Sequence, residues 1–328
     1  MIRSPDFFDS LQRTTEKFLS HQKKRRRIKK EKQKKKNMIL DWLEAFLWAA
    51  GMVLLINQYL MQAYQIPSGS MINTLLIGDH VFVNKIIYGP ELLPGLGKLP
   101  SPIRPERNDI IIFENPSYIS RGTLFDIAQR VIYMLTLTLV DIDRDEFGNP
   151  KAHFLIKRAV GMEGDLFVSH QGNLRIRFAG ENQWVDENEF LELRGFNHRV
   201  QRLMSLNYYP ALEAAGRAAA FRDMGLPAPR DLAMDESMIS GLQYPDFLAH
   251  EKSRLELLRA AFPHDDRYRT RLARHVLGWY IPENLILPLG DNRDNSRDGR
   301  HFGPVRADKV LGKGAVKYWP LSRIGLIQ

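Results

Sequence analysis

Cysteine is absent from the 328-residue chain. This absence excludes disulfide frameworks, thiolate metal sites and cysteine nucleophiles, so any catalytic nucleophile must be another residue type. It does not place the chain in a redox compartment, because a cysteine-free protein persists on either side of a membrane. Apolar residues make up 44% of the sequence, which excludes disorder throughout and suffices for one large core or two smaller ones.

The body of the chain also lacks an excess of positive charge, although the whole sequence carries +9. Residues 23–36 contain eleven Lys or Arg and one Glu, a local charge of +10, so the remainder carries −1. Such a run indicates a solvated, disordered segment, and without interleaved aromatic residues it does not favour nucleic-acid binding. Beside an apolar segment it favours the cytoplasmic face of a membrane. We interpret residues 1–37 as a basic cytoplasmic tail.

Residues 38–61 have the length and composition of a transmembrane helix, and no charged residue occurs between positions 45 and 78. A helix of about 24 residues extends about 36 Å, enough to cross a bilayer core. A buried core helix is one alternative. A cleaved signal peptide is another, disfavoured because the basic region is very long and residues 62–64 are not a small-x-small site. We expect one span with the amino terminus inside.

Residues 62–328 show short apolar runs separated by Gly and Pro, the pattern of a mainly β, extracytoplasmic domain. The runs are 80–85, 109–113, 154–160, 164–169, 174–178 and 313–319. We expect two inserts, at about 117–148 and 197–276, the second with helical composition. A further apolar run at 131–140 has about ten residues, too few to cross a membrane, and predicts a surface or membrane-skimming insert.

Two serines flank a glycine directly after the apolar segment. Gly69 permits a tight turn that can expose Ser70 and aim its amide at a substrate carbonyl. The neighbouring Ser68 and Pro67 are equally typical of an ordinary loop, so the fragment alone leaves both interpretations open.

A serine nucleophile needs a base, and none of the histidines lies in a recognisable triad motif. A lysine can serve if apolar surroundings depress its pKa and keep the amine neutral. Lys157 stands in an apolar strand-like run. Strand alternation sends it to the face opposite Ile156 and Arg158, so that one of the two cations can be buried and the other solvated. A lysine that reaches solvent is the alternative.

The segment 290–300 is dense in turn-forming residues, and a structural loop is its default interpretation. Asp294, Ser296 and Asp298 have the spacing of the first ligands of an EF-hand calcium loop. Val305 stands where the bidentate Glu should be, however, so calcium is disfavoured.

These three fragments, in this order after one apolar span, resemble bacterial type I signal peptidases (leader peptidases), the serine proteases with a Ser-Lys dyad. Residues 66–71 resemble the nucleophile box of that family, 154–161 its lysine box, 290–296 its closing box and 107–113 a further strand box. The resemblance implies a signal-peptidase-like β-rich catalytic domain without metal or cofactor. It implies signal-peptide-bearing preproteins and the lipid bilayer as partners. It leaves the inserts and the oligomeric state unassigned.

The resemblance also implies roles for the residues of the dyad. Ser70 would be the nucleophile and Lys157 its general base. The Ser68 hydroxyl, with the Ser70 amide, would stabilise the oxyanion, and Ser296 would hold the Lys157 amine in line. The resulting reaction is acyl transfer to serine, followed by hydrolysis of the acyl-enzyme.

Further positions match the surroundings of the dyad. Asp298 and Arg300 correspond to a supporting ion pair, and Ile66, Met71 and Ile156 fall where the family lines its pockets for small side chains at the cleavage site. Two other functions stay open at this point. One is a self-cleaving Ser-Lys regulator of related fold, and the other is a catalytically inactive, membrane-tethered binding protein.

Three positions depart from the family pattern. Asn73 stands where a proline usually precedes Thr74, Asn108 where glycine is common, and Gly299 where serine is common before the arginine. None of the three belongs to the proposed chemistry. We expect the change at position 73 to loosen the turn after the nucleophile.

Overall fold

The structure is a computed structural model, and it describes residues 15–17, 19–25, 38–92, 97–136, 139–146, 148, 151–239, 242–243 and 245–327, without the side chains of 233–237. The chain divides into two compact units, residues 1–53 and 54–328. Of the basic run, residues 23–25 are described. They are helical rather than irregular, and exposed. The rest of the run lies outside the described residues.

Helix α1 spans Met38–Leu55 and continues into a π-helical turn at Ile56–Leu60. The combined segment Met38–Leu60 has 23 residues and a mean hydropathy of 1.8, long and apolar enough to cross a membrane. Its most apolar window is 0% buried, which contradicts the core-helix alternative. It is the one candidate span in the described part of the chain, and the apolar run at 131–140 forms no second one.

Twelve strands form two antiparallel sheets among the described residues. They are β1 (Met61–Gln65), β2 (His80–Asn84), β3 (Ile110–Glu114), β4 (Phe154–Gly161), β5 (Leu166–His170), β6 (Asn173–Arg177), β7 (Val185–Asp186), β8 (Trp279–Tyr280), β9 (Leu285–Leu289), β10 (Val305–Arg306), β11 (Val310–Trp319) and β12 (Gly325–Leu326). The larger sheet has the order β1-β2-β11-β3-β4-β9-β10, with β12 beside β11. The smaller sheet has the order β7-β6-β5-β8. The predicted β-rich body is confirmed.

Strand β3 lies between two parts of the core, because its side chains alternate between the faces of the sheet. Ile110 and Ile112 pack in a cluster with Met71, whereas Ile111 and Phe113 pack in a second cluster. All four are at most 3% exposed. The neighbouring strand β4 therefore runs through a sheet that is covered on both faces.

Two strand edges of the larger sheet are unpaired among the described residues, one on the terminal strand β1 and one along the first half of β4. Strand β1 pairs with β2 alone among the described residues. Strand β4 pairs with β3 along Phe154–Arg158, but β9 joins its other edge only from Arg158 onward. The first half of β4 thus offers an open edge, as does β1, and the site described below lies beside both.

The helices belong mainly to the two predicted inserts. They are α2 (Thr123–Leu135), α3 (Glu187–Leu193), α4 (Tyr209–Asp223), α5 (Arg230–Ile239), α6 (Phe247–Ala261), α7 (Asp266–Val276) and α8 (Gly299–Phe302). In the second insert α4 approaches α6 closely at Gly216, where an added Cβ would lie 2.3 Å from the His250 carbonyl oxygen. Small residues on α4 permit this approach, which accounts for its alanine-rich sequence. The prediction of a helical insertion is confirmed.

Candidate active site

Ser70 sits in a single 3-10 turn, Gly69–Met71, five residues after β1 ends. Its side chain and backbone are 7% exposed. The segment 290–300, which we call the closing loop, holds this turn by its backbone. The Asn292 amide donates to the Ser70 carbonyl at 3.0 Å, and the Asn292 side chain donates to the Gly69 carbonyl at 3.1 Å. The turn that carries Ser70 and the closing loop, more than 200 residues apart in sequence, are therefore fixed to each other.

Lys157 lies on β4, opposite Ile111 of β3, and is 3% exposed. Its Nζ is 2.5 Å from the Ser70 Oγ and hydrogen-bonded to it. A charged amine donates in this contact, whereas a neutral amine can accept the serine proton through the same pair of atoms. The two residues that the sequence singled out are thus brought together.

Burial lowers the pKa of Lys157 from 10.5 to about 8, against the opposing charges of Asp298 and Asp291, which raise it. Desolvation disfavours the ammonium form, so the amine loses its proton nearer to neutral pH. At pH 7 about a tenth of the molecules carry a neutral amine if the pKa is about 8. This is the electrostatic condition that a lysine general base requires.

The two remaining serines lie on either side of the dyad. The exposed Ser68 donates its hydroxyl to the Ser70 Oγ at 3.5 Å. The buried Ser296 hydroxyl has no hydrogen-bond partner among the described residues, so the expected bond to Lys157 is not formed here. Its Oγ instead packs on Gly290, where an added Cβ would lie 2.2 Å away. Gly290 also lies beside the Ser70 carbonyl oxygen, so Ser296 is close to the Ser70 turn, and its role remains a proposal.

Asp298 and Arg300 form the expected ion pair behind the closing loop. Arg300 Nε and Nη2 donate to the Asp298 carboxylate at 2.9 and 3.0 Å. Asp298 also accepts from the Gly290 amide at 3.0 Å. Burial alone would raise the pKa of Asp298, but Arg300 and the Gly290 amide outweigh it and hold that pKa below its usual value. Asp298 therefore stays ionised, and Arg300 donates in turn to the Arg293 carbonyl.

The expectation that one of the adjacent cations Lys157 and Arg158 is solvated is wrong. Arg158 is 1% exposed, because the closing loop covers the second face of β4. It donates from Nε and Nη2 to Asp291 at 2.8 Å each, and Thr74 adds a 2.5 Å hydrogen bond to the same carboxylate. Sequence reasoning assigned no role to Arg158, Asp291 or Thr74. The contacts join β4, the closing loop and the turn after Ser70.

A groove of about 410 Å³ opens beside the dyad and is lined by both of its residues. Ile66, Met71 and Ile156, the three residues expected to form substrate pockets, all line it. They also pack in one apolar cluster. Its lining includes Tyr64 and Gln65 of β1 and residues 154–157 of β4, the strand segments whose edges are unpaired.

The second insert is attached to the closing loop through Asp294. This carboxylate accepts from Arg202 and from the Leu203 and Met204 amides, the last at 2.9 Å. Phe247 of α6 stacks on His301 with ring centroids 3.9 Å apart. Asp294 is committed to Arg202, as Asp298 is to Arg300, so the two carboxylates that mimicked a calcium loop are each neutralised by arginine.

The backbone conformation or close packing at each of the three positions that depart from the family pattern fits the residue found there. Asn73 and Asn108 have positive φ angles of 83° and 78°. Proline cannot adopt that conformation, whereas glycine and, less readily, asparagine can. An added Cβ at Gly299 would lie 2.7 Å from Leu287 Cδ1 and 2.9 Å from the Pro288 carbonyl oxygen. The turn after Ser70 remains hydrogen-bonded, with the Leu75 amide donating to the Met71 carbonyl at 2.8 Å.

The sequence model of the family described as signal peptidase, peptidase S26, matches residues 39–319. The chain belongs to the signal peptidase family. The matched range includes α1 apart from its first residue, the dyad, the groove and the closing loop, together with both inserts. Membership in this family agrees with the hydrogen-bonded Ser70 and Lys157.

Curated relatives resemble most of the chain at low identity. Signal peptidase I of Haemophilus influenzae is 24% identical over 86% of this chain and 70% of its own length. Signal peptidase I of Pseudomonas aeruginosa is 26% identical over 84% of this chain and 68% of its own length. Signal peptidase I of Buchnera aphidicola subsp. Acyrthosiphon pisum is 25% identical over 81% of this chain and 70% of its own length. With the apolar helix at Met38–Leu60, these relatives support a membrane-anchored protein.

Proposed function

We propose that this signal peptidase family member is a membrane-bound serine endopeptidase that removes signal peptides from exported preproteins through a Ser70–Lys157 dyad. The observation that carries the proposal is the 2.5 Å contact between Lys157 Nζ and Ser70 Oγ. Burial lowers the Lys157 pKa to about 8, and this supports its assignment as the base. The family match and the named relatives support the substrate class.

In the first half of the reaction, the neutral Lys157 amine takes the Ser70 proton while Ser70 Oγ bonds to the scissile carbonyl carbon. The carbonyl oxygen becomes an oxyanion, which the Ser68 hydroxyl and the Ser70 amide are placed to stabilise. The Lys157 ammonium then gives its proton to the leaving amine as the peptide bond breaks. The mature protein departs and the signal peptide stays as an ester on Ser70.

In the second half, Lys157 is neutral again and takes a proton from a water molecule, whose oxygen bonds to the ester carbonyl carbon. The tetrahedral species collapses, Ser70 recovers its proton from Lys157, and the signal peptide leaves as a carboxylate. Asp298 and Arg300 would act by holding the closing loop, since their charges are satisfied by each other and by backbone groups.

The substrate would bind as an added strand. The open edges of β1 and of the first half of β4 both border the groove, and an extended peptide can pair its backbone with such edges. Ile66, Met71 and Ile156 would accommodate small side chains upstream of the scissile bond. The first half of β4 ends at Lys157, so pairing there would bring the peptide to the dyad.

The proposed orientation follows the charge distribution. The basic run at 23–36 favours a cytoplasmic amino terminus, and residues after Leu60 would then lie outside the cytoplasm. Ser70 is ten residues beyond Leu60 in sequence, which supports cleavage near the bilayer surface.

Processing of a signal-peptide-bearing precursor by the purified full chain in detergent micelles tests the function. Wild-type protein is expected to release the mature product, and Ser70→Ala and Lys157→Ala are each expected to be folded and inactive. Lys85→Met is the matched control, because Lys85 is also buried with a pKa lowered to about 8 but donates to Gln62 rather than Ser70. Normal processing by Ser70→Ala or Lys157→Ala would exclude the dyad.

A further inference from the structure

The open edge of β4 ends where the closing loop begins. Strand β9 occupies that edge from Arg158 onward and is paired there through Leu289, its last residue. The closing loop follows directly, at Gly290. A peptide that adds to the first half of β4 therefore cannot continue along this edge beyond Lys157. In the proposed binding mode the upstream residues occupy the groove, so the residues downstream of the scissile bond leave the strand edge at the closing loop.

The closing loop contacts the turn of Ser70 and leads to an exposed arginine. An added Cβ at Gly69 would lie 3.4 Å from Asn295 Nδ2, so the loop packs against the residue directly before Ser70. Arg297 follows Asn295 by two positions and is exposed. Two residues of chain span at most about 7 Å. A peptide that leaves the dyad along the closing loop therefore passes close to a cationic side chain.

A cavity of about 230 Å³ opens beside these loop residues, between the closing loop and the start of α6. It is lined by residues 245–247 of the second insert and by residues 293–297, 300 and 301 of the closing loop and α8. We call it the closing-loop cavity. It shares no lining residue with the groove, so the dyad has the groove on the side of β1 and β4 and a separate cavity on the side of the closing loop.

The charged side chains that line the closing-loop cavity are satisfied within the protein, with the exception of Arg297. The satisfied ones are Arg293 by Glu187, Arg300 by Asp298, Asp294 by Arg202, and Asp246 by the Tyr209 hydroxyl and the first amides of α6. Arg297 forms no ion pair with any carboxylate in the part of the chain that the structure describes. The cavity therefore presents one positive charge that a bound group can neutralise.

We propose that Arg297 binds an acidic side chain near the start of the mature protein, so that precursors with Asp or Glu shortly after the scissile bond are preferred. A carboxylate matches the planar donors of a guanidinium. Arg297 is in this view a specificity-determining residue that contacts the substrate away from the reacting atoms. One cation reads one side chain, so the preference is confined to one or two neighbouring positions. The inference rests on the proposed function.

Precursor variants that share one signal peptide test this inference. Asp, Ala or Lys is placed in turn at each of about six downstream positions, which span about 20 Å of extended chain. The full chain in detergent micelles is used to measure kcat/KM. At one or two neighbouring positions the wild type should process the Asp precursor about 2- to 5-fold better than the Ala precursor, the range of an exposed ion pair. The Lys precursor should be the poorest, and added salt should reduce these differences.

Arg297→Glu should invert the order at the same positions, so that the Lys precursor becomes the best substrate. Arg267→Glu is the matched control for net charge, because Arg267 is 82% exposed on α7 and does not line the closing-loop cavity. It should keep the wild-type order. The inference would be overturned by a wild type without charge preference, by the wild-type order in Arg297→Glu, or by the same inversion in Arg267→Glu. Failure of the proposed function is distinguishable, since the wild type would then leave even the Ala precursors uncleaved.

Discussion

Arg158, the residue that directly follows Lys157, forms a buried ion pair with Asp291 through two hydrogen bonds of 2.8 Å each. Both side chains are at most 1% exposed. The pair joins β4, which carries Lys157, to the closing loop, which holds the turn of Ser70. The position of the dyad therefore depends on charges that take no part in the proposed chemistry.

Arg158→Met is expected to destabilise the protein by about 3–5 kcal/mol, because it leaves the Asp291 carboxylate buried without its cation. Thermal unfolding of the full chain in detergent measures the change. The double variant Arg158→Met/Asp291→Leu also removes the unpaired Asp291 carboxylate and should recover much of the lost stability. A double variant no more stable than the single one would contradict this explanation.

Asn73→Pro is expected to lower both stability and activity, although proline is usual at this position in the family. Asn73 has a φ of 83°, whereas proline is restricted to about −65°. The substitution would distort the turn after Ser70 and cost more than about 1 kcal/mol. Asn73→Gly accepts the positive φ and should retain near-normal turnover. If Asn73→Pro and Asn73→Gly had the same melting temperature and the same cleavage rate, position 73 would not require a positive φ.

Arg202→Met should reduce kcat by about 10- to 100-fold with little change in KM, because the closing loop would lose its ion pair with the second insert and the dyad would be less well positioned. Arg254→Met is a suitable control. Arg254 pairs with Asp223 at 2.6 Å within the insert and does not contact the closing loop in the described structure. Equal kinetic effects of both variants would mean that general loss of insert stability is responsible.

Lys157→Met is expected to stabilise the protein while abolishing turnover. The folded-state pKa of about 8 lies below the ordinary 10.5, so the unfolded chain binds more protons between these values. The cost of burying the lysine is about 3 kcal/mol below pH 8, decreases as the pH rises, and vanishes near pH 10.5. The melting-temperature advantage of Lys157→Met should follow the same course. An advantage that grows above pH 8 would refute this assignment.

Local sequence patterns predicted much of the β-rich body, because apolar runs such as 109–113 and 154–160 retain strand composition wherever they pack. The pairing of Ser70 with Lys157 came from the family resemblance. Strand β1 was not predicted, since residues 61–65 continue the apolar span without a boundary signal. The burial of Arg158 was missed for another reason. Its partner Asp291 is 133 residues away, and alternation along one strand does not show what covers each face.

The first insert illustrates the same limit. The apolar run at 131–140 was interpreted as a surface or membrane-skimming segment, yet its first five residues end α2 and include Tyr133 at the groove. Hydrophobicity alone does not distinguish packing on a protein groove from contact with lipid.

The pH dependence of kcat/KM for precursor cleavage tests the central claim most directly, because it reports the essential base of the free enzyme. With Lys157 as that base, kcat/KM should rise about tenfold per pH unit at low pH and level off above about 8, where burial places the Lys157 pKa. Lys85→Met should leave the profile unchanged, since Lys85 has a similar pKa but donates to Gln62. An inflection near 6.5, the range of histidine, or one that disappears in Lys85→Met, would contradict the account.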